Sequence, residues 1–438
     1  VVRDETALQV FYLSLALIIM GVGFLKPNIS TIVGRLYPPN DPRLDSGFTI
    51  FYAGINVGAL FASIVCAFLG ETYGWRYGFG AAGIGMVAGL ILFLWGQKYL
   101  LGQAEPNDPA KLRKKVGPLS LEWIIYLGSF AGALVVWQLI QHTWTVHGAM
   151  HIIAMALASW FIWFVWKKCT AIERGQMISL VLLIFGVLIF FTLYEQTYGS
   201  WVTFTDRLMT KDLFGMASSS GQIIPWAIFS LGLSPILMVA ALSASDRGNV
   251  GIAKLMVGLL VIGLTIAIIH DVVMVPQTAG SLTFLGAFFI VLLSPLFAWL
   301  WPWLEKRGLN PSKPAKMAIG LVLAGLSFIP MMMAADIAAT GVMASVWWLV
   351  LAYFILEVAE MCLSPIGLAA VSQLSVARVV GLMMGAFWLA TAYSEVLAAG
   401  FGKLASINIP EGGAIDMVAA AAKYNSLFEI MLWIGVGS

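Results

Sequence analysis

Residues 16–34 read ALIIMGVGFLKPNISTIVG, an apolar run with Lys26 and Pro27 set inside it. A helix needs roughly 20 apolar residues to cross a hydrocarbon core about 30 Å thick, and this run supplies them. A lysine inside such a helix costs about 2.5 to 3.5 kcal/mol on the insertion scale, so Lys26 marks a functional position. The rest of the chain has the same character: 60% of residues are hydrophobic and 11% charged, with 17 Trp and 26 Phe. A soluble domain averages about 45 to 50% apolar and about 25% charged residues, so this is an integral membrane protein. The runs lack the alternating polarity of barrel strands, which leaves an α-helical bundle.

Apolar runs broken by charged or Gly/Pro-rich punctuation give about thirteen candidate spans. They fall near residues 7–34, 47–70, 75–97, 119–141, 148–166, 175–201, 222–244, 252–270, 278–301, 315–335, 342–372, 379–402 and 415–436. Basic residues in alternate connections divide unevenly. Arg35, Arg43, Lys98, Lys111, Arg113, Lys114, Lys115, Lys167 and Lys168 belong to the richer side, and Arg76, Arg207, Lys211 and Lys403 to the poorer. The richer side is cytoplasmic by the positive-inside rule, which puts the first residue outside. A net charge of +2, distributed by topology, indicates no nucleic-acid partner. Cys66, Cys169 and Cys362 are isolated, so neither a disulfide framework nor a zinc site is expected. His147 and His151 have the i,i+4 spacing of a metal pair but no third ligand nearby, and interfacial packing is the expected role.

The segments GVGFLKPN (residues 21–28) and FYAGINVG (residues 51–58) resemble the signatures of the proton-dependent oligopeptide transporter family of the major facilitator superfamily. Those signatures read approximately G-x-G-x-x-K-P-N and F-Y-x-x-I-N-x-G. The resemblance implies an all-α membrane fold of two helical bundles with additional hairpins. It places Lys26 on the family's fourth helix, so the chain is expected to lack the first three helices and their E-x-x-E-R motif. Residues 1–103 would then be the remainder of the N-terminal bundle, 104–174 a linker and two-helix hairpin, and 175–438 the C-terminal bundle. An inserted hairpin is expected at 215–277. The loop SASDRGNVG (residues 243–251) leaves open that the pair flanking it is instead the family's eighth and ninth helices.

The remaining ionisable residues inside spans are Glu195, Glu357, Glu360 and Glu395. Lys26 and Glu360 fall at matching depths, and we expect them to face one cavity as a gating pair that binds ligand when apart. The resemblance assigns a peptide's carboxylate to Lys26 and its amino group to Glu360, so a zwitterion would draw two bundles together. Asn56 can donate to and accept from a peptide amide, and Tyr52 lies one turn earlier on the same helix face. Glu195, in FFTLYEQTYGSW, resembles the family's proton-coupling glutamate; a carboxyl in low dielectric can take up and release a proton. Glu357 shares a helix face with Glu360 and is either an accessory proton site or structural. Phe191 and Trp388 either line an apolar pocket for ligand side chains or simply pack. Phe191 stands where some relatives carry Trp, and Gly286 where an asparagine is expected. Glu395 has no counterpart in the resemblance.

The expected function is a proton-coupled symporter importing di- and tripeptides by alternating access in the cell's inner (plasma) membrane. It would act as a monomer with protons as coupling ion and no other cofactor. Alternatives are a transporter of another small solute, such as nitrate or a specialised metabolite, and a non-transporting receptor. No nucleophile–base pair, metal cluster or phosphate loop argues for an enzyme.

Overall fold

The computed structural model describes residues 5–36, 44–105, 108–215, 226–275, 277–406 and 416–438. The helices, in chain order, are α1 (Glu5–Arg35), α2 (Leu44–Ala62), α3 (Phe68–Tyr73), α4 (Trp75–Gly96), α5 (Pro109–Arg113) and α6 (Leu121–Gln141). Next come α7 (Thr143–Lys168), α8 (Ala171–Tyr194), α9 (Ser200–Leu208), α10 (Trp226–Asp246), α11 (Val250–Met274) and α12 (Phe284–Glu305). The last are α13 (Lys313–Leu326), α14 (Phe328–Ala338), α15 (Trp347–Leu374), α16 (Val380–Gly402) and α17 (Met417–Gly437). Every expected span is found as a helix or a helix pair. Among the described residues, 9 helical stretches are long and apolar enough to cross a membrane.

The basic linker holds a two-stranded antiparallel ladder, the one sheet among the described residues. Lys115–Val116 pairs with Leu119–Ser120 around Gly117, whose φ of 69° needs a residue without Cβ. Ser120 then caps α6 by accepting from the Trp123 amide.

The chain divides into two compact units. The first comprises Val1–Tyr52 and Ile91–Lys167. Within it α1 lies along α6, tied by Gln9 Nε2 donating to Gln141 Oε1 at 3.0 Å and Trp137 Nε1 donating to the Gln9 carbonyl at 3.2 Å. Leu17, Leu25 and Ile152 are exposed, as befits side chains that face lipid and not a soluble core.

The second unit comprises Ala53–Leu90 and Lys168–Ser438. Its core is aromatic: Trp201 stands edge-on to Phe328 at 5.4 Å, and Phe204 to Tyr424 at 5.2 Å and Phe428 at 5.4 Å. Close helix crossings depend on glycine. A Cβ on Gly435 of α17 would lie 2.5 Å from the Gly325 Cα of α13, so neither position has room for a side chain. The helix begun by α2 passes through a π-helical turn at Ser63–Ala67 before α3. That turn aims Ser63 at Thr283, whose hydroxyl donates to Ser63 Oγ at 3.2 Å, while Glu71 accepts from the Gly280 amide at 3.0 Å.

Helices α10 and α11 pack as an antiparallel pair joined through Gly248. Asp271 is completely buried at the far end of the pair. It accepts from the Trp226 amide at 2.7 Å, supplying the first turn of α10 with an acceptor, and His270 Nδ1 lies 3.0 Å from it.

Candidate functional site

The segment carrying Glu195 is positioned from both ends. At its start, Thr170 and Glu173 form a capping box for α8, and Arg378, in the turn just before α16, bridges to Glu173 at 3.2 Å. At its end, α8 tightens into a 3-10 turn, Glu195–Thr197, and resumes as α9. Gln196 bolts that turn to α16: its Nε2 donates to the Ala398 carbonyl at 3.0 Å, and its Oε1 accepts from Ser200 at 2.7 Å. With its neighbour so held, Glu195 is half-buried on a cleft that Glu395 also borders. Glu395, which the sequence left without a role, therefore faces the same space as the expected coupling residue.

Helix α15 places two more carboxylates. Glu357 is 0% exposed and Glu360 6%, one turn apart. Around Glu357 stand Tyr194 from the end of α8, Tyr198 beyond the turn and Tyr353 on its own helix, all within electrostatic range. Opposite, α12 offers Gly286, and a Cβ there would lie 2.9 Å from Glu357 Oε1. The glycine that stands in place of an expected asparagine thus leaves the room that Glu357 occupies.

Phe191 is half-buried and edge-on to Tyr194 at 6.1 Å, one turn before Glu195. Trp388 is 47% exposed and edge-on to Phe387. Asn56 is buried on α2, at 7% exposure. Lys26 lies on α1 and Tyr52 on α2; their side chains are outside the described residues. The structure thus brings Glu195 and Glu395 to one cleft and Glu357, Glu360 and Gly286 to one buried cluster.

Two polar residues escaped the sequence reading. Asp271 is as ionisable as the residues singled out, but it falls just past the expected span 252–270. Gln196 drew no notice because its work is to hold its neighbour.

Apolar helices that carry buried carboxylates, with aromatic and small residues around them, define a multi-pass membrane protein built to handle charge inside its bundle. The model of the POT family matches residues 2–275 and 275–409. An uncharacterized transporter, YclF of Bacillus subtilis (strain 168), is 30% identical over 431 residues, 97% of this chain and 72% of that protein. Dipeptide and tripeptide permease A of Yersinia pestis is 28% identical over 422 residues, 95% of this chain and 69% of that protein. Among solved structures, a peptide transporter POT in complex with sulfate matches with a TM-score of 0.65 at 27% identity, covering 97% of this chain and 72% of that one. The chain belongs to the POT family, and it has the all-α fold of the major facilitator superfamily.

Proposed function

We propose that this protein is a proton-coupled symporter that imports di- and tripeptides across the inner (plasma) membrane by alternating access. The observation that carries the reading is the pair of buried carboxylates, Glu357 and Glu360, on α15, in a bundle that also holds the half-buried Glu195 at the end of α8. Buried acidic groups in a membrane bundle require protons or a cationic ligand as partners, and a peptide offers an ammonium group. Family membership and relatives named as dipeptide and tripeptide permeases support the same substrate class.

In this reading Glu360 receives the peptide's amino end and Lys26 its carboxylate, the two forming the gating pair when no ligand is present. Asn56 and Tyr52 hold the peptide backbone. Phe191 and Trp388 line the space for its side chains. Glu195 carries the coupling proton, with Glu357 as a second proton site. The working unit is a monomer, and protons are the only coupling ion. A second reading, transport of another small solute, draws on Gly286, where the residue expected to help hold an amino end is missing.

The test is uptake of labelled dialanine into liposomes under an inward proton gradient, comparing wild type with Lys26→Ala. Accumulation that collapses in the variant supports peptide symport. Absence of dialanine uptake by folded wild-type protein removes the peptide reading and directs the search to other solutes.

A further inference from the structure

The α10–α11 pair delivers a rigid end to the contact that closes the outer side of the bundle. Arg247 and Lys254 lie at the cytoplasmic end of the pair, so Trp226 and Asp271 lie at the outer end. There the fully buried Asp271 accepts from the Trp226 amide at 2.7 Å, and His270 Nδ1 stands 3.0 Å from the same oxygen. The His270 ring stacks on the Trp226 indole, with 3.9 Å between centroids and 6° between planes. A buried carboxylate supplied with donors and covered by a stacked ring pair makes a stiff joint between the two helices.

Gln277 ties that joint to the residues ahead of α12. Its Nε2 donates to the Asp271 and Val275 carbonyls, both at 2.9 Å, and its Oε1 accepts from the Ser281 hydroxyl at 3.1 Å. Thr278 and Ser281 bond each other reciprocally: the Thr278 amide donates to Ser281 Oγ at 2.8 Å, and the Ser281 amide to Thr278 Oγ1 at 3.0 Å. This knot presents Gly280 and Thr278 to Glu71 of α3. The Gly280 amide donates to Glu71 Oε1 at 3.0 Å, and the Thr278 side chain bonds the same carboxylate. A Cβ on Gly280 would overlap Glu71 Oε1, so the contact requires bare backbone there. Asp206 and Lys211, also within electrostatic range of Glu71, pair with each other at 2.6 Å. Glu71 belongs to the expected N-terminal bundle and the knot to the expected C-terminal one, so the contact crosses the boundary at which alternating access must open.

We infer that Asp271 and Gln277 are positioning residues of the outer gate. Through the knot of Gln277, Ser281 and Thr278, the α10–α11 pair holds Gly280 and Thr278 against Glu71 and favours the outward-closed state. The pair thereby sets how often the binding cavity opens to the outside without touching the peptide. The inference rests on the peptide-transport reading and adds the control of its gate.

Gln277→Ala tests it, since Gln277 is half-buried and its loss leaves the Asp271 joint in place. Two readouts are compared in liposomes: the KM for external dialanine, and the rate at which a membrane-impermeant maleimide labels Thr283→Cys in a chain whose Cys66, Cys169 and Cys362 are replaced by Ala. Gln277→Ala should raise the labelling rate about fivefold, the worth of roughly one net hydrogen bond. KM should fall by a similar factor, because the outward-open state that binds external peptide becomes more populated. Glu71→Gln should act in the same direction, and the double variant should do little more than the stronger single one, since both release one contact. Full additivity would show two separate devices and overturn the inference. Faster labelling with KM unchanged would show that the knot orders only its own loop, and a lower maximal uptake with KM unchanged would mark Gln277 as structural; either overturns the inference while the transport reading stands. Wild-type protein that takes up no dialanine removes the transport reading and this inference with it.

Discussion

Glu195 and Gly286 show how single residues set what this bundle can do. Glu195 is placed by a neighbour, since Gln196 ties its turn to α16 at the Ala398 carbonyl. Replacing Glu195 by Gln keeps the shape and removes the titrating group. The expected outcome is that proton-driven uptake of dialanine falls to the level set by equilibration, while exchange of internal for external peptide continues. Accumulation against a gradient by Glu195→Gln would remove this residue from the coupling path. At Gly286 the constraint is volume, because Glu357 Oε1 already lies 2.9 Å from where a Cβ would be. Gly286→Leu should cost about 1 to 3 kcal/mol through overpacking, read as a lower Tm of the protein in detergent.

At the scale of elements, the helices owe their positions to bare backbone as much as to apolar side chains. The crossing of α13 and α17 brings Gly325 and Gly435 into direct contact, and the obstructing atoms are backbone that cannot swing aside. Gly435→Val should therefore cost about 3 kcal/mol, measured as a shift in the thermal or denaturant midpoint. Gly258, in α11, has nothing within 4 Å of its Cβ position. Gly258→Ala should be neutral or raise stability by up to about 1 kcal/mol, since alanine is the better helix former. A similar loss in both variants would show that the close crossing is not what sets the cost at Gly435. The pair α10–α11 is held by a different device. Asp271, buried inside the pair, supplies an acceptor to the first turn of α10.

For the whole molecule, alternating access requires that contacts on one side of the membrane form as those on the other break. The second unit contains such a contact at its outer end, where Ser63 meets Thr283 and Glu71 meets Gly280. The variant Ser63→Cys/Thr283→Cys should form a disulfide on mild oxidation, because the two hydroxyl oxygens are 3.2 Å apart. If transport separates these segments, the oxidised variant should lose dialanine uptake and recover it on reduction. Full uptake by completely cross-linked protein would show that the two segments travel together through the cycle.

Much of this architecture was legible in the residues. Hydrophobic run lengths marked every span because the bilayer demands about 20 apolar residues whatever the neighbours are. Charges inside those runs marked Glu195, Glu357 and Glu360, since burial of an ionisable group is costly enough to be rare by chance. What only the tertiary structure decided are relations between segments far apart in the chain. Gly286 reads as a missing asparagine until it is found under Glu357, and Glu395 reads as an unexplained charge until it is found on the same cleft as Glu195. Such pairings depend on helix rotation and crossing, which are set by side-chain and backbone contacts between elements and leave no periodicity in a single sequence.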